Sequence, residues 1–304
     1  MLSIITPLHL EPYLKQTIDS LLDNAVGDIE IIPVFDGAAL SEPLREDPRL
    51  KPIFIEHKGM RGAINTGIQA AKGKFIMKID AHCAVAPGYD KTLLEEFEDN
   101  WLMIPRRWAL DHDKWIITHD GRPPRDYHYL SFPATVDGWY GHTMLGLNWY
   151  HHPKEWDVVE LGDTMSFQGS CWVANKDYFM KHLYPLDDRP EAYGTFVQEC
   201  IELGNKYWLG GGSVKVNKKT WYCHFAKKRR HYHAGIFSRI HRRDRQGLKS
   251  HNWCARHWMN DKEPNMIYPF SWLIDKFWPV PSWPENWKEV WETHEKSSNL
   301  CQSS

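Results

Sequence analysis

No stretch of the 304-residue sequence is apolar for the roughly 18 residues that cross a bilayer, so no membrane span is expected. The chain does not open on a basic segment followed by an apolar core and a small-residue cleavage site. No signal peptide is therefore expected, and the reading places the protein in the cytoplasm, of the host cell if its origin is viral. The six cysteines, at 83, 171, 200, 223, 254 and 301, form no CxxC pair. Scattered singly, they read as buried free thiols in a reducing compartment rather than as disulfides or a zinc site. No HExxH motif of a metal hydrolase occurs. Internal repeats and low-complexity tracts are missing, and net charge is small, at -2.

What is present fits a globular domain. A hydrophobic fraction of 42% and a charged fraction of 25% are ordinary, and 304 residues suffice for one large or two small domains. The small net charge hides an asymmetry. Residues 215–262 hold 14 Lys and Arg against 2 Asp and Glu, with six His, leaving about -14 on the rest. Tryptophan is abundant, at 16 residues, and serves either as core or as a stacking surface for sugars and bases. Trp283, Trp287 and Trp291 recur at i, i+4 and i+8, which predicts one packed face of a helix.

The first 80 residues read as β-α-β-β-α-β. Strands are expected over Ser3–Leu8, Ile29–Phe35, Pro52–Glu56 and Lys74–Ile79. Helices are expected from Glu11 or Pro12, with Leu14, Ile18, Leu21 and Leu22 on one face, and over Arg61–Ala71, where Ala63, Gly67, Ala70 and Ala71 permit close packing. Alternation of this kind implies an α/β fold with a mostly parallel, Rossmann-like sheet. Residues 89–100 read as a surface helix, and Trp101 to Leu161 as loops and short antiparallel strands around an acceptor cleft. A strand over Gln168–Ala174 follows, then helices over Lys176–His182 and Thr195–Tyr207. Strands are expected over Ser213–Val216 and Thr220–Phe225.

Asp80-Ala81-His82 ends the apolar run that begins at Lys74. Open α/β sheets bind ligands at the C-terminal ends of their strands, where these residues fall. A carboxylate oxygen and an imidazole together suit a divalent ion, and the imidazole favours Mn²⁺ over Mg²⁺. Asp36, ending the second strand, is either a ligand contact at the same end of the sheet or a plain Asp-Gly turn residue. Thr6 and Pro7 end the first strand beside it. The Gly59-Met60-Arg61-Gly62 stretch opens a helix whose backbone N–H groups and Arg61 suit phosphate or sugar.

Three stretches carry a family resemblance. FIMKIDAHCAVAPGY (75–89), FQGSCWVANKDYF (167–179) and GTFVQECIELGNKYWLGGGSVKVNKKTWYCHFAKK (194–228) are similar, in order and spacing, to motifs of the polypeptide N-acetylgalactosaminyltransferases. The first 80 residues resemble family-2 glycosyltransferases of the GT-A fold. The resemblance implies a metal-dependent glycosyltransferase that moves a hexose or N-acetylhexosamine from a UDP-sugar to a hydroxyl acceptor. Asp80, His82 and His224 become metal ligands for Mn²⁺ or Mg²⁺. Glu199 becomes the carboxylate facing donor or acceptor, with Glu202 sharing its helix face. Thr6, Pro7, Glu11, Asp36, Arg61, Asp80, Ala81, Gly169, Ser170 and Lys227 become donor-binding residues. The chain departs from the pattern at Phe196-Val197-Gln198, where the family has Trp-Gly-Gly, and at Cys200, where it has Asn. Glu199 is the acceptor base if the enzyme inverts and a positioning group if it retains; the reading favours retention.

The resemblance implies a catalytic domain over 1–228 and leaves 229–304 as a basic, Trp-rich extension for the acceptor. Cations interleaved with rings, among them Arg229, Arg230, Arg242, Arg243, Trp253 and Trp258, fit a nucleic-acid surface. With no anchor or lectin segment in view, the acceptor expected is a hydroxymethylated pyrimidine of bacteriophage DNA, which base flipping would expose. A cell-surface or capsular glycan, or a protein, is the alternative acceptor. The non-enzyme alternative is a glycan- or nucleic-acid-binding protein on an inactive GT-A fold, which predicts loss of the metal ligands.

Overall fold

The computed structural model describes residues 1–40, 42–118, 121–136, 139–196, 198–226 and 245–302. The four strand signals of the first 80 residues form where expected, as β1 (Leu2–Leu8), β2 (Ile29–Asp36), β3 (Ile53–Ile55) and β4 (Phe75–Ile79). β1 pairs in parallel with β2 on one side and β4 on the other, and β3 lies beyond β2. Alternate residues of β1 face opposite sides of the sheet. Ile4 belongs to the cluster containing Ile18 and Leu21 of α1 (Leu14–Asn24). Ile5 belongs to the cluster containing Ile64 and Ile68 of α2 (Gly59–Ala70). Helices thus cover both faces, and the strand order reverses between β1 and β4. α2 packs close because Gly67 carries no side chain; a Cβ there would sit 2.4 Å from Ile5 Cγ2.

Past β4 the sheet continues through β13 (Cys171–Asn175), β6 (Trp101–Asp111), β14 (Ser213–His224) and β12 (Leu161–Asp163). β13 is antiparallel to both β4 and β6, β14 is parallel to β6, and β12 is antiparallel to β14. Among the described residues, six of the eight strands on this path therefore point one way. β5 (Cys83–Val85) pairs with the end of β14, and β7 (Ile116–Ile117) with the end of β6.

Three elements differ from expectation. The helix over 89–100 is only α3 (Tyr89–Leu94). Acidic Glu95, Glu96, Glu98 and Asp99 repel one another at helical spacing, and Phe97 instead packs edge-on to Phe75 at 5.0 Å. The irregular region hides β6, a strand of the main sheet whose Pro105, Arg106 and Arg107 break its apolar pattern. Only its remainder forms short antiparallel pairs, such as β8 (His128–Leu130) with β11 (Gly146–Asn148) and β9 (Ala134–Val136) with β10 (Trp139–Thr143). The two strands expected at 213–225 are halves of β14. Its register runs Asn217 to Pro105 and then Trp221 to Arg106, so residues 218–220 bulge out. Pro105 has no N–H for the ladder at that point.

α4 (Lys176–His182) forms as expected, and α5 (Glu199–Leu209) begins four residues later than expected. The C-terminal region adds α6 (Arg245–Met259), α7 (Phe270–Lys276) and α8 (Trp287–Gln302). Trp258, Phe270, Trp283, Trp287 and Trp291 share one apolar cluster with Ile201, Tyr207 and Trp208 of α5, so the core continues past residue 228. Trp283, Trp287 and Trp291 all pack inward, but Trp283 stands before α8, with Pro284 next to it, so the three do not form one helix face as expected. Trp283 donates to the Leu130 carbonyl at 2.6 Å and Trp291 to Asn260 Oδ1 at 3.1 Å. Cys83, Cys171, Cys200, Cys223 and Cys254 are free thiols. Among the described residues, no helix is long and apolar enough to cross a membrane.

Candidate active site

β1 and β4 diverge at their C-terminal ends, and a cleft of 1330 Å³ opens there, reached by Pro7, Asp36, Asp80, Ala81, His82 and His224. Asp80 leaves β4 with its amide bonded to the Ser170 carbonyl at 2.9 Å. His82 stands two residues on. His224 ends β14, whose last residues pair with Cys83 and Ala84 of β5, and the Phe225 amide bonds to the His82 carbonyl at 3.0 Å. Strands far apart in sequence are thereby joined at one edge. One ligand atom each from Asp80, His82 and His224 lies within 4.8 Å of the others, the single such group among the described residues.

The donor set fits a divalent cation. His224 Nε2 is 3.3 Å from Asp80 Oδ2 and 3.1 Å from His82 Nε2, and His82 Nε2 is 3.9 Å from Asp80 Oδ2. Glu11 Oε2 sits 3.0 Å from His82 Nδ1. Only a protonated Nδ1 can face that carboxylate, which leaves Nε2 free to ligate. His224 Nδ1 faces the buried Arg107 guanidinium at 3.3 Å. Burial, opposed by Asp80, lowers the His224 imidazole to about 4, so the ring is neutral at pH 7. A guanidinium only donates, so Nδ1 accepts and the ring's single proton is on Nε2, facing Asp80 Oδ2; a cation there would displace that proton. Burial alone would raise the Asp80 carboxyl, but Lys78 and the two imidazoles outweigh it and hold the group well below the usual range.

Lys78 is the residue that sequence reasoning missed. It stands in β4, buried, with Nζ 2.7 Å from Asp80 Oδ1, 2.6 Å from the Gly169 carbonyl and 3.4 Å from Glu199 Oε2. Burial would lower the ammonium, yet the Asp80 and Glu199 carboxylates raise it above its ordinary value. The signal was legible: a lysine amid Phe75-Ile-Met-Lys78-Ile in a buried strand requires acid partners. Glu199 starts α5, is buried, and accepts a hydrogen bond from Trp172 Nε1. Burial raises its carboxyl against the opposing pull of Lys78 and Trp172. Gly169 lies against it; a Cβ there would be 3.3 Å from Glu199 Oε2.

The remaining expected residues divide. Asp36 reaches the cleft, and its carboxylate also accepts from the Lys58 and Gly59 amides and faces His57 Nδ1 at 2.9 Å. The Arg61 amide bonds to the Thr195 carbonyl at 3.0 Å, so the start of α2 spends these donors within the protein rather than on a ligand. The Arg61 side chain, 0% exposed, pairs with Glu202, also 0% exposed, and lies 4.5 Å from the Tyr193 ring centre. Glu202 also accepts from Lys206 at 2.8 Å and the Asp187 amide at 3.2 Å. Arg61 and Glu202 are therefore an interior ion pair off the cleft lining, because a buried charge needs a counter-charge beside it. Thr6 is buried below Pro7, and the Gly169 and Ser170 carbonyls are taken by Lys78 and the Asp80 amide. Gln168, His9 and His57, not anticipated, line the cleft.

Trp258 is core, 1% exposed, with its indole N–H on Tyr193 Oη at 2.8 Å, and is not a surface ring. Trp253 is half-buried, stacked on His257 at 4.4 Å, in a 1020 Å³ groove along α6. That groove carries Lys249, Arg256 and Lys262 but also Glu191, Asp261 and Glu295, so its charge is balanced. Lys227, Arg229, Arg230, Arg242 and Arg243 lie outside the described residues.

Comparison with known proteins bears on this geometry. A 111-residue stretch is 37% identical to the uncharacterized glycosyltransferase EpsJ of Bacillus subtilis, covering 34% of this chain and 32% of that protein. Over 260 residues the chain is 26% identical to polypeptide N-acetylgalactosaminyltransferase 11 of Xenopus tropicalis, covering 76% of this chain and 39% of the relative. The crystal structure of GalNAc-T7 with UDP, GalNAc and Mn²⁺ shares the fold, with a TM-score of 0.59 at 17% identity over 74% of this chain and 44% of that one. The chain thus spans less than half the length of each of these proteins. The profile described as glycosyl transferase family 2 matches residues 3–183, the part that supplies β1, β4, Asp80 and His82, and the chain belongs to that family.

Proposed function

We propose that this protein transfers a hexose or an N-acetylhexosamine from a UDP-sugar to a hydroxyl group, with Mn²⁺ or Mg²⁺ held by Asp80, His82 and His224. The observation that carries the reading is the meeting of one carboxylate and two imidazoles, from β4 and β14, on a cleft at the point where strand order reverses. When bound, the cation would neutralise charge on the departing diphosphate. Glu11 fixes the His82 ring so that Nε2 faces the site. Asp36, at the cleft wall, retains acceptor capacity for a base N–H at Oδ1, which accepts from the Lys58 amide and has a second lone pair; Oδ2 is taken by the Gly59 amide and His57. Glu199 is tied to Trp172 and Lys78 and is buried. A general base must reach the hydroxyl it deprotonates, so this placement supports a positioning role and retention, with the departing phosphate taking the proton. The inactive-fold alternative predicts a broken donor set, whereas these donors converge.

For the acceptor we carry forward the hydroxymethylated pyrimidine of DNA. Its support is the sequence of 227–243, where cations and rings directly follow the cleft residue Ala226. The test is incubation with a panel of UDP-sugars, Mn²⁺ and DNA containing hydroxymethyluracil or hydroxymethylcytosine, read by nucleoside mass spectrometry and by UDP release. A hexose or N-acetylhexosamine mass on the modified nucleoside is the expected result. UDP release stimulated only by glycans or peptides would move the acceptor to those classes. Absence of UDP release with every donor and acceptor would overturn the transferase reading.

A further inference from the structure

Lys78 lies beneath the cleft at the meeting of three segments: the end of β4, the 168–170 turn leading into β13, and the first turn of α5. Its Nζ is 2.7 Å from Asp80 Oδ1, 2.6 Å from the Gly169 carbonyl oxygen and 3.4 Å from Glu199 Oε2. An ammonium offers three donors from one point, and three oxygens surround this one. The flanking Met77 and Ile79 are apolar and fully buried, so packing alone does not call for a cation here. The contacts divide the Asp80 carboxylate: Oδ1 is held by Lys78, while Oδ2 faces His224 Nε2 at 3.3 Å and His82 Nε2 at 3.9 Å.

We propose that Lys78 is a positioning residue that restricts Asp80 to one-oxygen ligation of the cation and couples that ligand to Glu199. The inference rests on the reading of Asp80 as a cation ligand. With Oδ1 turned to the ammonium, Oδ2 is the oxygen placed beside the two imidazoles. The ammonium on the far oxygen also opposes a second positive charge nearby. The free protein therefore holds its cation loosely, and a diphosphate is needed to complete the site.

The test is Mn²⁺ binding without nucleotide, followed by electron paramagnetic resonance of the free ion. Lys78→Met should bind Mn²⁺ about tenfold more tightly than wild type, because a repelling charge is gone and both Asp80 oxygens are released. A folded Lys78→Met protein with unchanged or weaker Mn²⁺ affinity overturns the proposal. A lysine kept only for packing would show that result. Should Lys78→Met fail to fold by circular dichroism, Glu199→Gln decides. There Asp80 is the one carboxylate of the pair left on the ammonium, and Mn²⁺ affinity should drop about threefold; unchanged or tighter binding contradicts the coupling. Wild-type protein that takes up no Mn²⁺ with or without UDP would instead defeat the ligand reading of Asp80, and this inference with it.

Discussion

At the scale of single residues, the site is a set of charges that hold one another in place. Glu11 faces His82 and Lys78 faces Asp80, each fixing from behind a side chain of the proposed cation site. Such outer partners commonly change metal affinity by one to two orders of magnitude, so Glu11→Gln should weaken Mn²⁺ binding by about tenfold in the presence of UDP. Equal affinity in the two proteins would show that His82 needs no orienting carboxylate. Asp80 and His82 were legible in the sequence because they end an apolar strand. His224, separated from Asp80 by 144 positions, was legible only through resemblance to a family, since nothing local distinguishes it from an ordinary strand-end histidine. Arg61 and Glu202 misled for a related reason: Arg61 was read as a phosphate or sugar contact from its place at a helix start and Glu202 as a neighbour of Glu199 on one helix face, while the partner that buries each lies 141 residues away.

At the scale of elements, α2 and α5 are pinned together by that same pair. Removing one member leaves a buried charge unmatched, which costs about 3–5 kcal/mol. Glu202→Gln should therefore lower the unfolding free energy by that amount in denaturant titration, while the transfer rate per folded molecule stays within about threefold of wild type. Full stability with lost activity would instead place Glu202 in the chemistry beside Glu199. The βαβ units of the first 80 residues were readable because apolar period and turn residues agree there. β6 was not, since Pro105 and two arginines interrupt its pattern and its strand identity comes from pairing with β13 and β14. The C-terminal stripe was readable from spacing as buried rings but not as one helix face, since Pro284 keeps Trp283 out of α8. Trp291→Ala should cost about 3–5 kcal/mol of stability through the cavity it leaves, with Mn²⁺ affinity unchanged; an unaltered melting curve would contradict the packing described.

At the scale of the whole molecule, buried neutral histidines make stability depend on pH. Burial, helped by Arg107 and Arg125, lowers His128 to about 3, and burial with His294 nearby lowers His142 to about 4. Unfolded, each titrates near 6.5. Between those values the unfolded chain binds protons that the folded one refuses, so stability is full above pH 6.5 and is lost as pH falls toward the folded values. The loss should approach about 1.4 kcal/mol per pH unit for each histidine, measured by urea unfolding at pH 7 and pH 5. Replacing both residues by Gln should lessen the dependence, leaving the share of His224, which burial also lowers; an unchanged slope would place the titrating groups elsewhere.

The central claim is that Asp80, His82 and His224 join a cation to a nucleotide diphosphate in the cleft beside β1 and β4. Calorimetric titration of UDP into wild-type protein and Asp80→Asn, each with Mn²⁺ and with chelator, addresses it without any assumption about sugar or acceptor. The account predicts that Mn²⁺ strengthens UDP binding by about tenfold or more in wild type and not in Asp80→Asn. UDP affinity that is indifferent to Mn²⁺ in wild type, or a Mn²⁺ gain that survives in Asp80→Asn, would contradict it.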